Sequence, residues 1–256
     1  MKLQPVRRWL ALVALAFLGL QLFFVLRIGA MARVDPQSTA FQRTEAWRIT
    51  QQRDKLIWRQ EWRNYDQLGD AIKRAVIASE DDAFAYHDGV DWESIEKAWQ
   101  KNLKTQGAAQ TMGIGAANGK SGNSAKTAKT NKANKIVGGS TITQQLAKNL
   151  LLSGERNVLR KGQEFVLTTL LELLLGKERI LEIYLNNVEW GEGIFGAEAA
   201  AQHYFKKPAA RLSNYEAARL AVMLPRPRYF EKLQQSGYLQ AQSAVIQARM
   251  ANAELP

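Results

Sequence analysis

From residue 9 to residue 26 every position is apolar except Gln21. At about 1.5 Å of rise per residue, such a run crosses a bilayer as one helix. Lys2, Arg7 and Arg8 precede it, so the positive-inside rule keeps the N-terminus cytoplasmic and puts the rest of the chain outside. Ala30-Met31-Ala32 also fits a signal-peptidase site. The run is longer than a usual h-region, however, and Arg27 stands between it and the candidate cut. The expectation is an uncleaved cytoplasmic tip and transmembrane anchor over 1–32.

Beyond the anchor the pattern has a helical period. Leu68, Ile72, Val76 and Ile77 form an apolar stripe in 65–79. Trp92, Ile95, Ala98, Trp99 and Leu103 form another in 91–103, expected to face inward. Further helices are predicted over 140–152, with Ser140 or Thr141 as cap, and over 156–175. Others follow over 177–186 after the break at Gly176, 197–204, 214–224 with Ser213 as cap, and 238–252. Gly191, Gly193 and Gly196 mark a loop, and Pro225 and Pro227 end the packed region. No alternating run demands a strand, so the fold class is all-α. The polar, tryptophan-bearing segment 33–57 reads as a connector, 58–232 as the domain, and 233–256 as a C-terminal helical tail.

One stretch breaks the pattern. Residues 104–135 are mostly Ala, Gly, Asn, Thr, Ser and Lys, with six lysines and no acid. They cannot bury enough apolar surface to order themselves, and a disordered insertion is expected. It is either a passive linker or a contact for anionic headgroups, at up to about 1 kcal/mol per lysine.

Charge narrows the partners. The 256 residues carry a formal +11, of which those six lysines supply +6. An anionic partner follows, whether nucleic acid, anionic lipid or a pyrophosphate substrate. Topology outside the membrane disfavours nucleic acid. The absence of cysteine excludes disulfides, thiolate catalysis and cysteine-ligated zinc.

The candidate chemistry lies in three blocks. The first runs from Glu80 to Asp91 and reads Glu-Asp-Asp-Ala-Phe-Ala-Tyr-His-Asp-Gly-Val-Asp. Glu80 extends the Ile72–Val76 stripe, and partial burial there would raise its pKa and make it a better base. Asp81 and Asp82 either bind a divalent cation or cap the turn. His87 either orients a carboxylate or sugar or is a structural hydrogen-bonder; His203 reads as structural. In the second block Thr141, Gln144, Gln145 and Lys148 share a helical face, and Ser140 with the nearby N–H groups offers an anion site. The third holds Arg156, Arg160, Lys161 and Glu164. It reads as a cationic cluster for phosphates beside a second carboxylate, or as an exposed Arg160–Glu164 pair worth about 0.3–0.5 kcal/mol. Tyr184 and Asn186, taken alone, would be packing and a helix end.

In this order the blocks resemble the motifs of the peptidoglycan glycosyltransferases, the lysozyme-like enzymes that polymerise lipid II. The likeness runs through Glu80-Asp81 with Phe84, His87, Gly89 and Asp91, then Gly138 to Lys148, then Arg160 to Glu164. It continues through Lys177 with Ile180-Leu181-Glu182 and Tyr184-Leu185-Asn186, and more weakly through 217–225. The chain is similar to the monofunctional membrane-anchored form. Ser94-Ile-Glu-Lys97 matches Ser-x-x-Lys without the other penicillin-binding motifs and is read as chance, so no transpeptidase activity is expected.

The resemblance implies a two-lobed all-α fold with a membrane-dipping jaw. It implies Glu80 as general base and Glu164 as second acidic residue, both catalytic. Lys148, Arg156, Arg160 and Lys161 would lie near the donor pyrophosphate. Asp81, Phe84, His87, Ser140, Thr141, Gln144, Gln145, Tyr184 and Asn186 would line the cleft. It implies inverting β-1,4 transfer with release of undecaprenyl pyrophosphate, on the periplasmic side of the inner membrane. Lipid II, the nascent glycan, membrane lipids and wall-synthesis or division proteins are the implied partners. A divalent cation (Mg2+ or Mn2+), with Asp81 as candidate ligand, is the one cofactor considered. The alternatives are a lytic transglycosylase or lysozyme-like hydrolase, and a non-catalytic membrane-anchored wall scaffold. The 104–135 stretch lengthens the spacing between the first two motifs and falls in the expected jaw.

Overall fold

The computed structural model describes residues 4–53, 55–93, 95–96, 99–100, 140–152 and 158–256. The chain forms two compact units, Met1–Val90 with Thr141–Pro256, and Asp91–Ser140. The 104–135 insertion, Arg156 and the Ser94/Lys97 pair lie outside the described residues.

The larger unit opens with α1 (Gln4–Met31), the one helix among the described residues long and apolar enough to cross a membrane. Most of its surface is exposed, but Phe24, Ile28 and Met31, one face at helical spacing, join the core. The segment read as a connector contains α2 (Ala40–Gln52). Thr39 and Gln42 close a capping box there, with Gln42 N donating to Thr39 Oγ1 at 3.0 Å and Thr39 N to Gln42 Oε1 at 2.8 Å.

β1 (Arg59–Gln60) and α3 (Asp70–Glu80) follow, then α4 (Ile142–Leu151), α5 (Val158–Leu174) and α6 (Lys177–Asn187). Next come β2 (Glu189–Gly191), β3 (Ile194–Phe195), α7 (Ala197–Phe205), α8 (Asn214–Met223), α9 (Pro227–Glu231) and α10 (Gly237–Arg249). The all-α expectation holds apart from three very short strands, ordered β1-β3-β2, with β1 parallel and β2 antiparallel to β3. Gly193 (φ +71°) lets them meet, because a Cβ there would lie 2.1 Å from Ile57 O.

The core lies between α3, α4, α6 and α8. Trp190 is fully buried in it and donates from Nε1 to Leu220 O at 3.0 Å. The C-terminal segment is built into this core. α10 packs on α8 and α3, Arg74 donates to Ala253 O, and Met250 and Ala253 are buried.

Two polar links tie α1 to the unit. Gln21 and Gln163 on α5 exchange amide hydrogen bonds, both at 3.2 Å. Arg179 on α6 donates from Nε to Met31 O at 2.8 Å and from Nη2 to Asp35 Oδ1 at 2.8 Å.

In the smaller unit residues 92–93, 95–96 and 99–100 are helical, and Asp91 O accepts from Ile95 N at 3.1 Å. Trp92 and Trp99, expected to face inward, are exposed. Among that unit's described residues none is buried, so its own described part offers them no core.

Candidate active site

α3 ends at Glu80 because Asp81 leaves helical geometry (φ −164°, ψ 74°). Glu80 is partly exposed there. Its Oε2 accepts from Gln145 Nε2 at 3.0 Å and its Oε1 from Ser79 Oγ at 3.3 Å. Burial pushes its pKa above the ordinary value, the two hydrogen bonds pull it back, and the charge of Asp81 adds to the rise. Gln145 sits on α4 and accepts at Oε1 from Tyr184 OH, 3.0 Å away on α6. Tyr184 is buried, which holds its phenol well above its ordinary pKa, so it serves as a fixed donor. Three helices thus supply a relay that orients the Gln145 amide with its N–H toward Glu80.

Asp81, one residue on, faces the other way. It is buried, its Oδ2 accepts from Ile142 N at 2.9 Å, and its Oδ1 lies 2.8 Å from His87 Nε2. Gly89 N donates to His87 Nδ1 at 3.0 Å, which assigns the ring hydrogen to Nε2 and makes it the donor to Asp81. In this geometry Asp81 bonds to the Ile142 N–H and to His87, and both ring nitrogens of His87 have partners within the protein.

The second block divides between the interior and the surface. Thr141 and Gln144 are buried and close a capping box on α4; Thr141 Oγ1 also donates to Gly89 O at 2.6 Å. The Ile142 and Gln144 N–H groups, expected to receive an anion, are therefore already taken by Asp81 and Thr141. Gln145 and Lys148, three residues apart, share the more open face of α4, where Lys148 is exposed. Ser140 is the last residue of the smaller unit.

On the first turns of α5, Lys161 is exposed and donates from Nζ to the buried Glu164 Oε1 at 2.5 Å. Glu164 is therefore held by Lys161 and is not the solvated member of an exposed Arg160 pair. Arg160 stands beside them on the same helix.

Two residues expected in the cleft are interior. Phe84 is fully buried, edge-on to His87 at 6.3 Å, with Lys177 Nζ 4.6 Å from its ring centre. Asn186 is fully buried as well. It donates from Nδ2 to Arg63 O and accepts at Oδ1 from Arg63 N, both at 2.8 Å, pinning the strand-to-turn segment.

A second polar cluster supports the site from below. Lys177 Nζ donates to His87 O at 2.6 Å and to Glu172 Oε1 at 2.8 Å, and Thr143 Oγ1 donates to the same Glu172 oxygen at 2.6 Å. It binds α4, α5, α6 and the 81–90 loop together. Thr143 and Glu172 were not singled out from sequence. The available signal was Glu172 itself, a lone acid inside Leu170-Leu171-Glu172-Leu173-Leu174-Leu175. Gly89 (φ +85°) is obligatory where this loop meets α5, since a Cβ would stand 2.7 Å from Thr168 Cγ2.

A partly exposed carboxylate with a raised pKa, oriented by an amide, suits proton removal from a hydroxyl. Glycosyl transfer, the reaction that the resemblance of its motifs implies, needs a base of this kind. The chain belongs to the transglycosylase family, whose sequence profile matches residues 48–113 and 118–251. The match begins inside α2 and ends just past α10.

Over 255 residues the chain is 47% identical to the biosynthetic peptidoglycan transglycosylase of Burkholderia thailandensis, covering 98% of this chain and 89% of that one. It is similar to the protein of the same name from Paraburkholderia xenovorans, at 46% identity over 97% of this chain and 94% of that one. A third relative of that name, from Burkholderia orbicola, is 47% identical, with 94% and 87% covered.

Proposed function

We propose that this chain polymerises lipid II into β-1,4-linked glycan strands, with its domain on the periplasmic side of the inner membrane and α1 as its single-pass anchor. The observation that carries the reading is the Glu80–Gln145–Tyr184 relay, a partly open carboxylate with a raised pKa and a fixed hydrogen-bond donor. The reading is supported by the family and by the names of the relatives.

In this mechanism the growing glycan is the donor, held by its lipid pyrophosphate, and lipid II is the acceptor. Glu80 takes the proton of the acceptor sugar 4-hydroxyl as that oxygen attacks the donor anomeric carbon. The configuration inverts and lipid pyrophosphate leaves with the bonding electrons. A pyrophosphate leaving group needs cations, not a proton donor, and Lys148, Arg160 and Lys161 supply them, with Arg156 near them in sequence. Glu164 fixes Lys161. A lytic enzyme would instead require a carboxylic acid on the leaving side.

No step is routed through a metal ion. Both Asp81 oxygens are engaged by Ile142 and His87, and the described residues hold no group of three acids or histidines disposed around one point.

The test is polymerisation of purified lipid II by the detergent-solubilised protein beside Glu80→Gln. Polymer from the wild type, with a loss of about a hundredfold or more in the variant, is expected. Wild-type protein that instead solubilises preformed strands would replace this reading with the lytic one, and a folded protein with neither activity would favour the scaffold.

A further inference from the structure

The end of α1, the segment after it and the first turn of α2 line an open cavity of about 270 Å³. Two arginines line it, Arg27 from α1 and Arg43 from α2. The acid on its wall, Asp35, is already held by Arg179 at 2.8 Å. Arg43 donates from one nitrogen to Ser38 O and Oγ at 3.3 and 3.2 Å. Arg27 makes no hydrogen bond or ion pair among the described residues. The two guanidinium charges are near enough to act on each other. Like charges on one cavity leave a positive field that an anion would relieve.

Depth identifies the anion. Leu26 is the last residue of the apolar run, so Arg27 is the first position beyond the hydrocarbon, at the level of headgroup phosphates. The rest of the wall suits an amphiphile. Ala30, Met31 and the 62% exposed Val34 present apolar surface beside the arginines.

We infer that this cavity binds the phosphate of an anionic phospholipid headgroup, with Arg27 and Arg43 donating to its oxygens. A guanidinium fork matches phosphate oxygens, and its hydrogen bonds to an ion are the strong kind. The bound lipid bridges α1 to α2 and sets how the anchor meets the domain. The inference rests on α1 spanning a bilayer and is independent of the polymerising reaction.

The full chain is reconstituted in nanodiscs of equal parts phosphatidylglycerol and phosphatidylcholine, extracted into mild detergent and weighed by native mass spectrometry. Wild type retains one phosphatidylglycerol per chain, preferred at least about tenfold over phosphatidylcholine, a difference that corresponds to about 1.4 kcal/mol. Arg27→Gln/Arg43→Gln loses the preference, and Arg33→Gln, outside the cavity, keeps it. A thermal midpoint in lipid-free detergent equal to wild type shows that the double variant is folded. If it is lower, Arg27→Gln alone carries the comparison. Equal retention by wild type and the folded variant overturns the inference. Displacement of the lipid by millimolar inorganic phosphate overturns it in favour of a free-anion site, and competitive displacement by lipid II in favour of a substrate site.

Discussion

Gln145 stands between Glu80 and Tyr184 with its amide orientation fixed, accepting from the phenol at 3.0 Å and donating to the carboxylate at 3.0 Å. That donation stabilises the charged form of Glu80 against the burial that raises its pKa. Gln145→Leu removes it, so the pKa of Glu80 rises further. A base works only when deprotonated. The acid limb of kcat/KM therefore moves to higher pH, with the activity lost near neutrality recovered at alkaline pH. Tyr184→Phe frees the amide to turn and shifts the limb the same way by less. A pH profile with an unmoved acid limb in both variants would refute the relay.

The same pKa shift has a consequence for stability. The folded pKa of Glu80 lies above its ordinary value of 4.5. Its charge therefore opposes folding, fully above the folded pKa and not at all below the unfolded one. Glu80→Gln removes that cost. Thermal unfolding should show the variant more stable than wild type near pH 7, with the gain vanishing as pH falls below about 4.5. A variant less stable than wild type at pH 7 would mean that Glu80 contributes bonds outweighing its burial.

Asp81 has a structural task next to a chemical one. Asp81→Ala strips the cap from Ile142 N and the partner from His87, both inside the protein. Leaving those donors unsatisfied costs about 1–3 kcal/mol each. Urea unfolding should show a midpoint well below wild type with an unchanged slope. A loss of activity with no loss of stability would return Asp81 to the cleft.

This division between Glu80 and Asp81 marks what could be read before the structure. A cluster of acids after the Leu68–Ile77 stripe is visible in the residues themselves. Which acid turns outward depends on where Ile142 N lies, sixty-one positions away. Thr141, Gln144 and Asn186 were expected to line the cleft on the strength of the family resemblance. Here Thr141 and Gln144 close a cap on each other and the Asn186 amide bonds to the Arg63 backbone. α2 escaped notice because its buried positions are Gln42, Glu45 and Ile49, held partly by hydrogen bonds and ion pairs, with no apolar stripe to announce it. Strands of two or three residues carry no period to read. The helices from 140 onward, with apolar faces several turns long, were legible almost to their ends.

Lys177 and Glu172 form a pair that periodicity hides, five positions apart across Gly176. Lys177→Met leaves Glu172 with Thr143 as its remaining donor and releases His87 O. Removing one partner of a mostly buried ion pair costs about 3–5 kcal/mol, and partial exposure of Lys177 puts the expectation at the lower end. Replacing both, Lys177→Met/Glu172→Leu, should recover part of the stability because no buried charge remains. Urea midpoints of the two variants decide it; a double variant no better than the single would show that the loss comes from His87 O and the loop instead.

Gln21 is the one polar residue in the apolar run, and its reciprocal bonds with Gln163 tie α5 to that run. An unpaired amide there has no water to turn to, so each single change, Gln21→Leu or Gln163→Leu, strands its partner. Interhelical amide pairs in membranes are worth about 0.6–2 kcal/mol. A double-mutant cycle followed by denaturing-detergent unfolding in mixed micelles should give a coupling in that range, with the double variant losing little more than either single one. Glu164 and Lys161 neighbour Gln163 on α5, so the singles should also lower kcat more than they change KM for lipid II. Strictly additive losses would mean that the two amides act separately and that α1 meets α5 through its apolar face alone.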